Sequence, residues 1–141
     1  MSKRYAFACL LLCFSLSSAW GANPKSTSIV VDASSLKWKE AMPGVSIAPV
    51  QGDPERGPSH FFLKYASGLK TPTHHHTPDH YVTLVSGSLT LTVDGSDHKL
   101  TPGSLFALTH KAVHVVVCAE GSDCLMSVDA RGKWDIIPEK Q

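Results

Sequence analysis

Residues 68–87 read GLKTPTHHHTPDHYVTLVSG, and the spacing of their histidines is typical of a β-strand that runs into a turn. Side chains at positions i and i+2 of a strand lie on the same face. His74 and His76 are therefore predicted to point to one side and His75 to the other. The Pro-Asp pair that follows turns the chain, so that His80 opens the next strand. The stretch predicts two neighbouring strands that carry three imidazoles to one place.

A fourth histidine, His114, closes the segment 102–114 and is expected on a later strand pair. Neutral imidazole is the commonest protein ligand for transition metals. Four inward imidazoles would repel one another if protonated together, and their burial needs a compensating partner. We therefore predict a site for a divalent transition metal (zinc, copper, nickel, iron or manganese), with four ligands: His74, His76, His80 and His114.

Short strand-like runs separated by turn residues continue on both sides of the histidine stretch. The predicted strands cover residues 28–31, 45–50, 59–65, 81–85, 88–93, 98–100, 104–108, 113–118, 125–128 and 134–137. One short helix is predicted over residues 34–41, capped by Ser34 or Ser35. This pattern predicts a single all-β domain over residues 23–141, an antiparallel sandwich or barrel of the jelly-roll type.

Residues 1–22 have the order of a secretory signal peptide: two basic residues, an apolar run over residues 5–16, and then small residues. The apolar run is shorter than the roughly 20 residues that a transmembrane helix needs. Cleavage is expected after one of three small residues: Ala19, Gly21 or Ala22. The segment predicts a periplasmic or secreted protein without a stable membrane anchor.

The charge balance argues against a nucleic-acid partner. The chain has 13 basic and 12 acidic residues, and loss of Lys3 and Arg4 with the signal segment would leave 11 basic residues against 12 acidic ones, a formal charge of −1. Binding to nucleic acid or to an anionic membrane surface is usually accompanied by a positive balance. The remaining expectation for a partner is a small molecule.

Cys118 and Cys124 flank a turn-rich segment between two β-branched runs. Across a hairpin they could form a disulfide, which an exported protein would retain. The alternative is a thiolate metal site. We favour the disulfide, because oxidised cysteines cannot bind a metal and the histidines already supply a ligand set.

The histidine stretch resembles the first motif of the cupin family, G-x5-H-x-H-x3-E-x6-G, at every spacing from Gly68 to Gly87. Pro102, Gly103 and His114 resemble the second motif. The resemblance covers roughly residues 61–128. It extends more loosely to residues 42–45 and 132–136, which resemble small exported single-domain cupins. It implies a jelly-roll β-barrel that holds a divalent metal, usually through three His and one Glu. It also implies that His74, His76 and His114 are ligands.

His80 occupies the position of the family's glutamate. A set of four His is neutral, whereas three His and one Glu carry a negative charge, so a bound ion would keep its full +2 charge. This substitution favours a Lewis-acid role or the binding of an anionic ligand.

Two classes of function follow from the resemblance. In the first, an enzyme isomerises, cleaves or oxidises a small oxygen-rich molecule, with His60, Lys64 and Tyr81 as weak candidates for catalytic or cavity-lining groups. In the second, the protein binds or senses a metal or small ligand without turnover. The resemblance also suggests a homodimer, in which the apolar strand at residues 29–31 could pair with a neighbour's sheet edge.

Overall fold

The computed structural model describes residues 27–140 of the protein. The signal-peptide prediction for residues 1–22 lies outside the described residues. The described part contains one 3-10 turn, Ala33–Ser35, and eleven strands: β1 Lys39–Met42, β2 Val45–Gly52, β3 Ser59–Tyr65, β4 His74–His75, β5 His80–Ser86, β6 Leu89–Val93, β7 Ser96–Leu100, β8 Leu105–Leu108, β9 His114–Cys118, β10 Cys124–Ala130 and β11 Ile137–Pro138. Within this part of the chain, no helix is long and apolar enough to cross a membrane.

The strands form two antiparallel sheets. Sheet A has the order β1-β2-β3-β10-β5-β8, and sheet B has the order β11-β4-β9-β6-β7. The chain crosses repeatedly between the sheets, since β3 lies in sheet A, β4 in sheet B and β5 in sheet A again. The prediction of an all-β jelly-roll sandwich is confirmed.

The core lies between the two sheets, and strand alternation determines which side chains enter it. β3 and β10 are buried at every second residue. Phe61, Leu63 and Tyr65 of β3, which the spacing predicts to share one face, point into the core. Leu89 and Leu91 of β6 belong to the same apolar cluster. Members of this apolar cluster lie directly beside the histidines between the two sheets.

The helix predicted over residues 34–41 is wrong. Only Ala33–Ser35 forms a 3-10 turn, which begins where Asp32 Oδ1 accepts a hydrogen bond of 2.8 Å from Ser34 N. Lys39–Met42 is instead a strand that pairs with β2. The two strands are joined by a tight turn at Gly44, whose φ of +76° suits glycine. Pairing with β2 therefore overrides the weak local helix preference.

The strand predicted at residues 28–31 is also absent from the described chain, whose backbone is irregular there. Val30 is 94% exposed, and Ile29 and Val31 are partly exposed. Pairing of this segment with a second copy stays a prediction.

Cys118 and Cys124 form the predicted disulfide between β9 and β10, with their Cα atoms 5.9 Å apart. Both cysteines are fully buried. Gly87 makes room for them, because a Cβ atom at this position would lie 2.8 Å from Cys124 Sγ. The thiolate metal site considered for these cysteines is therefore wrong.

Candidate metal centre

Four histidines come together where the two sheets meet, three of them at the starts of strands. His74 lies in β4 and His114 begins β9, and the two are direct cross-strand partners. His80 begins β5 on the opposite sheet, and His76 lies between β4 and β5. All four side chains are buried, with exposed fractions of 1% to 4%. The topology therefore brings together the four histidines that the sequence singles out.

Three of the four form a compact group. The ligand nitrogens of His74, His76 and His114 all lie within 4.8 Å of one another. His80 lies beside His76, with 4.6 Å between the ring centroids, but its ring is 6.3 Å from that of His114. The structure thus contains a cluster of three histidines with the fourth imidazole next to it.

Each of the four imidazoles is oriented by a backbone carbonyl. A carbonyl oxygen only accepts hydrogen bonds, so the Nδ1 atom that contacts it carries the proton and Nε2 presents its lone pair. In three cases the carbonyl belongs to the residue two positions earlier: His74 with Pro72 at 2.8 Å, His80 with Pro78 at 3.1 Å, and His114 with Ala112 at 2.9 Å. In the fourth, His76 donates to the carbonyl of Asp135. This arrangement is the usual one for metal-binding histidines.

The donor set fits a metal ion. His74 Nε2 is buried and has no hydrogen-bond partner among the described residues. Leaving such an atom unpaired costs about 1–3 kcal/mol, and a bound cation would remove that cost.

Electrostatics keep the cluster neutral. Burial, aided by the neighbouring imidazoles, lowers the pKa of His76 from 6.5 to about 2 and that of His114 to about 4. Burial also lowers the pKa of His74 and of His80. The imidazoles are therefore neutral, with one protonated nitrogen each, at neutral pH, and the neutral form is the one that binds metal ions.

Trp134 covers the cluster from one side. Its ring stacks on His76 at a centroid distance of 4.0 Å and meets His80 edge-on at 5.0 Å. On its other side it contacts Phe61 in the core at 5.2 Å. The sequence predicts a strand at Trp134 but gives no signal that its ring belongs to the site.

Residues 134–139, which we call the C-terminal segment, bind along the histidine stretch. β11 pairs with β4, and Glu139 N donates to Thr73 O at 2.9 Å. Asp135 Oδ1 accepts a bond of 2.8 Å from Thr77 N. His75 points away from the cluster, as predicted, and its Nδ1 lies 2.5 Å from Glu139 Oε1. The C-terminal segment thereby supplies both the carbonyl that orients His76 and the ring that covers it.

A cavity of about 20 Å³ lies beside His76, His80 and His114. It has room for about one water molecule. The space next to the candidate metal ligands is therefore small.

The structure does not bring the three weak catalytic candidates to this cavity. His60 and Lys64 lie on the outer face of β3, where His60 Nε2 contacts Ser127 Oγ at 3.0 Å and Lys64 Nζ lies 4.7 Å from the Trp38 ring centre. Tyr81 is 40% exposed on the face of β5 opposite His80. The expectation that these three residues line the histidine cavity is therefore wrong. Their neighbours in β3 and β5 point into the core, and strand alternation places the three on the opposite face.

Comparison with known proteins gives the following matches. Residues 61–129 match the family model described as the cupin domain. A solved RmlC-like cupin protein from Ralstonia eutropha JMP134 is 27% identical, with a TM-score of 0.63 over 75% of this chain and 69% of that one. The polyketide cyclase RemF from Streptomyces resistomycificus is 18% identical, with a TM-score of 0.68 over 82% and 87% of the two chains. KdgF from a Halomonas species is 21% identical, with a TM-score of 0.62 over 75% and 94%. A search of curated proteins found no match.

Proposed function

We propose that this chain, which belongs to the cupin superfamily, binds one divalent transition-metal ion through His74, His76 and His114, with His80 as the fourth ligand. The observation that carries the proposal is the common orientation of the imidazoles. Each donates its Nδ1 proton to a backbone carbonyl and keeps Nε2 free, and the buried Nε2 of His74 has no other partner in the described chain. Histidines that bind a metal almost always donate their other ring N–H in this way, which fixes the tautomer and the orientation of the ring.

His80 is included because its environment matches that of the other three. It is 2% exposed, its Nδ1 is held by the Pro78 carbonyl, and its ring lies against that of His76. A neutral fourth ligand would leave the ion with its full +2 charge. When bound, the ion would supply Lewis acidity toward a small oxygen-bearing molecule.

The donor chemistry narrows the choice of metal. Four imidazole nitrogens suit zinc, copper, nickel or iron better than magnesium or calcium, which prefer oxygen ligands. We favour zinc, copper or nickel, because an exported protein that folds after translocation would meet little free iron(II).

Export is part of the proposal. It is supported by the signal-peptide pattern of residues 1–22 and by the Cys118–Cys124 disulfide, a bond typical of oxidising compartments. Cell fractionation and mass spectrometry of the exported protein test it. Protein found only in the cytoplasmic fraction, with a mass that corresponds to an N-terminus at Met1 or Ser2, would contradict export.

The central test is the metal content of the untagged mature protein. The protein is refolded with zinc, nickel, copper or iron(II) in turn, and the bound metal is measured by inductively coupled plasma mass spectrometry. We expect one ion per chain, and a protein that retains none of the four would overturn the proposal. His80→Ala tests the fourth ligand, with His60→Ala on the outer face as the matched control. Equal metal affinity in His80→Ala and His60→Ala would reduce the ligand set to three.

A second candidate function, metal binding without turnover, is favoured by the small size of the cavity under Trp134. A tetrahedral ion held by four His has no free position for a substrate. The visible spectrum of the cobalt(II) form distinguishes the two: strong absorption typical of four-coordinate cobalt favours binding alone, and weak absorption typical of five or six ligands favours an open catalytic position.

A further inference from the structure

A second and much larger cavity, of about 580 Å³, lies where the edge strands of the two sheets come together. β7 is the last strand of sheet B and β8 the last strand of sheet A. The cavity is lined by apolar residues, among them Leu91, Phe106 and Leu108, and by three exposed polar residues that we call the rim: Asp94, His98 and His110. Its volume is within the range of small-molecule sites, about 300–1,000 Å³.

Two side chains separate this cavity from the histidine cluster. Phe106 and Leu108 line both the large cavity and the small cavity beside His76. Leu108 is buried at 4% exposure and forms part of the core, whereas Phe106 is only partly buried. A molecule in the large cavity would therefore lie against the wall of the candidate metal centre.

The rim contains an unusual turn. His110 and Lys111 both have positive φ, +54° and +58°, and the turn is closed by a bond of 3.1 Å from Ala112 N to Thr109 O. Two left-handed residues in succession are normally Asn or Gly, so this backbone carries strain. Asp79 holds the turn in place, since its Oδ1 accepts a bond of 2.8 Å from His110 N. The backbone of His110, at the mouth of the cavity, is thereby fixed by a residue adjacent to His80.

The rim chemistry limits what can bind. Imidazoles both donate and accept hydrogen bonds, and a carboxylate accepts them. Among the described residues that line the cavity, Asp94 is the single acidic group, and neither lysine nor arginine is present. Such a rim suits a hydroxyl group and disfavours an anion, while the leucine and phenylalanine walls suit a ring.

We propose that this cavity binds an uncharged aromatic molecule of one or two rings that carries a hydroxyl group. The ring lies against Phe106 and Leu108, and the hydroxyl group reaches the rim formed by Asp94, His98 and His110. The inference does not rest on the proposed metal centre. The cavity itself forms without the metal.

Fluorescence titration with 2-naphthol and 2-naphthoate tests the proposal, because the two probes share a ring system and differ in charge at pH 7. We expect 2-naphthol to bind both metal-free and zinc-loaded protein, and 2-naphthoate to bind at least about tenfold more weakly. Asp94→Asn is expected to narrow that difference, since it removes the rim charge at a position, φ +51°, that Asn adopts readily. Equal affinity for the two probes in the wild type would overturn the proposal.

Two variants locate the binding. His98→Trp places a large ring on the cavity face of β7, where His98 pairs with the buried Leu91, and is expected to weaken 2-naphthol binding at least about tenfold. Val85→Trp, at an exposed position outside the lining, is the matched control. His110→Gly removes the imidazole and relieves the positive φ, so it is expected to fold well and still bind 2-naphthol several-fold more weakly. Unchanged binding in both His98→Trp and His110→Gly would contradict the site. Binding of 2-naphthol by a protein that takes up no metal would overturn the proposed function and leave this inference standing.

Discussion

The candidate metal centre is built in two different ways in two regions of the molecule. His74, His80 and His114 are each held by a carbonyl two residues earlier, within their own turn. His76 is held by Asp135, 59 positions away, and covered by Trp134. The turn-held histidines depend on local backbone, whereas the orientation of His76 depends on closure of the C-terminal segment. The centre can therefore lose one ligand's orientation while the other three keep theirs.

The largest expected effect is acid destabilisation of the metal-free protein. His76 and His114 have folded-state pKa values of about 2 and about 4, both below the unfolded value of 6.5. Below pH 6.5 the unfolded chain therefore binds more protons than the folded one, so stability is complete above that pH and decreases as the pH falls. At pH 5 each of the two is expected to cost about 2 kcal/mol, giving about 4 kcal/mol for the pair.

Urea unfolding of metal-free protein at pH 7.5 and pH 5 measures this loss. Between pH 4 and pH 2 the His76 contribution is expected to keep growing while the His114 contribution levels off, which distinguishes the covered histidine from the turn-held His114. His114→Gln is the control. Because it removes one of the two titrating groups, its loss of stability between pH 7.5 and pH 5 is expected to be about 2 kcal/mol smaller than that of the wild type. Stability that is unchanged between pH 7.5 and pH 5 would contradict the burial of neutral imidazoles.

The next effect concerns the ligands themselves. His114→Ala and His76→Ala, one from each region, are each expected to lower metal affinity by about a hundredfold or more, because loss of an outer-shell partner alone typically costs 10–100-fold. His75→Ala is the matched control, since its ring contacts Glu139 instead of the cluster. Isothermal titration with zinc measures all three. Equal losses in His75→Ala and His114→Ala would show that the assignment of strand faces is wrong.

The strand faces explain how far the sequence predicts the centre. The i, i+2 spacing correctly separates His74 and His76 from His75, and it correctly places Phe61 and His60 on opposite faces of β3. The same alternation does not say which face of an isolated strand becomes the inner one, so the outward position of His60 follows only from packing. Tyr81 directly follows the inward-facing His80, and alternation itself places it outward.

The contribution of the C-terminal segment lies further beyond local sequence. Trp134 reaches His76 across 58 positions of chain, and no periodic pattern encodes such a contact. The mistaken helix at residues 34–41 has a similar origin, because its residues have weak local preferences and the strand forms only by pairing with β2. Elements whose conformation depends on pairing with another segment, whether near or distant in sequence, are those that the sequence predicts least well.

A smaller effect is expected from removing the cover. Trp134→Ala deletes the ring that packs on His76, His80 and Phe61, and it is expected to lower the free energy of unfolding by about 2 kcal/mol, below the range of about 3–5 kcal/mol for fully buried aromatic rings. Trp38→Ala is the control, because Trp38 is 37% exposed and contacts Lys64 on the outer face. Its loss is expected to cost less than about 1 kcal/mol. Similar losses of unfolding free energy in the two variants, measured by urea unfolding, would mean that packing of the Trp134 ring on the histidines does not stabilise the protein.

The smallest effect tests the two regions most directly. Asp135→Ala removes the side-chain bond to Thr77 N and so loosens the backbone carbonyl that orients His76, and it is expected to lower zinc affinity by about tenfold. Pro78→Ala alters the residue that orients His80 but keeps its carbonyl, so it is expected to change affinity by less than about threefold, or roughly 0.6 kcal/mol. Isothermal titration of both variants with zinc decides the matter. A larger loss in Pro78→Ala would show that the turn-held region depends on the rigidity of its prolines, and the distinction between local and distant support would then fail.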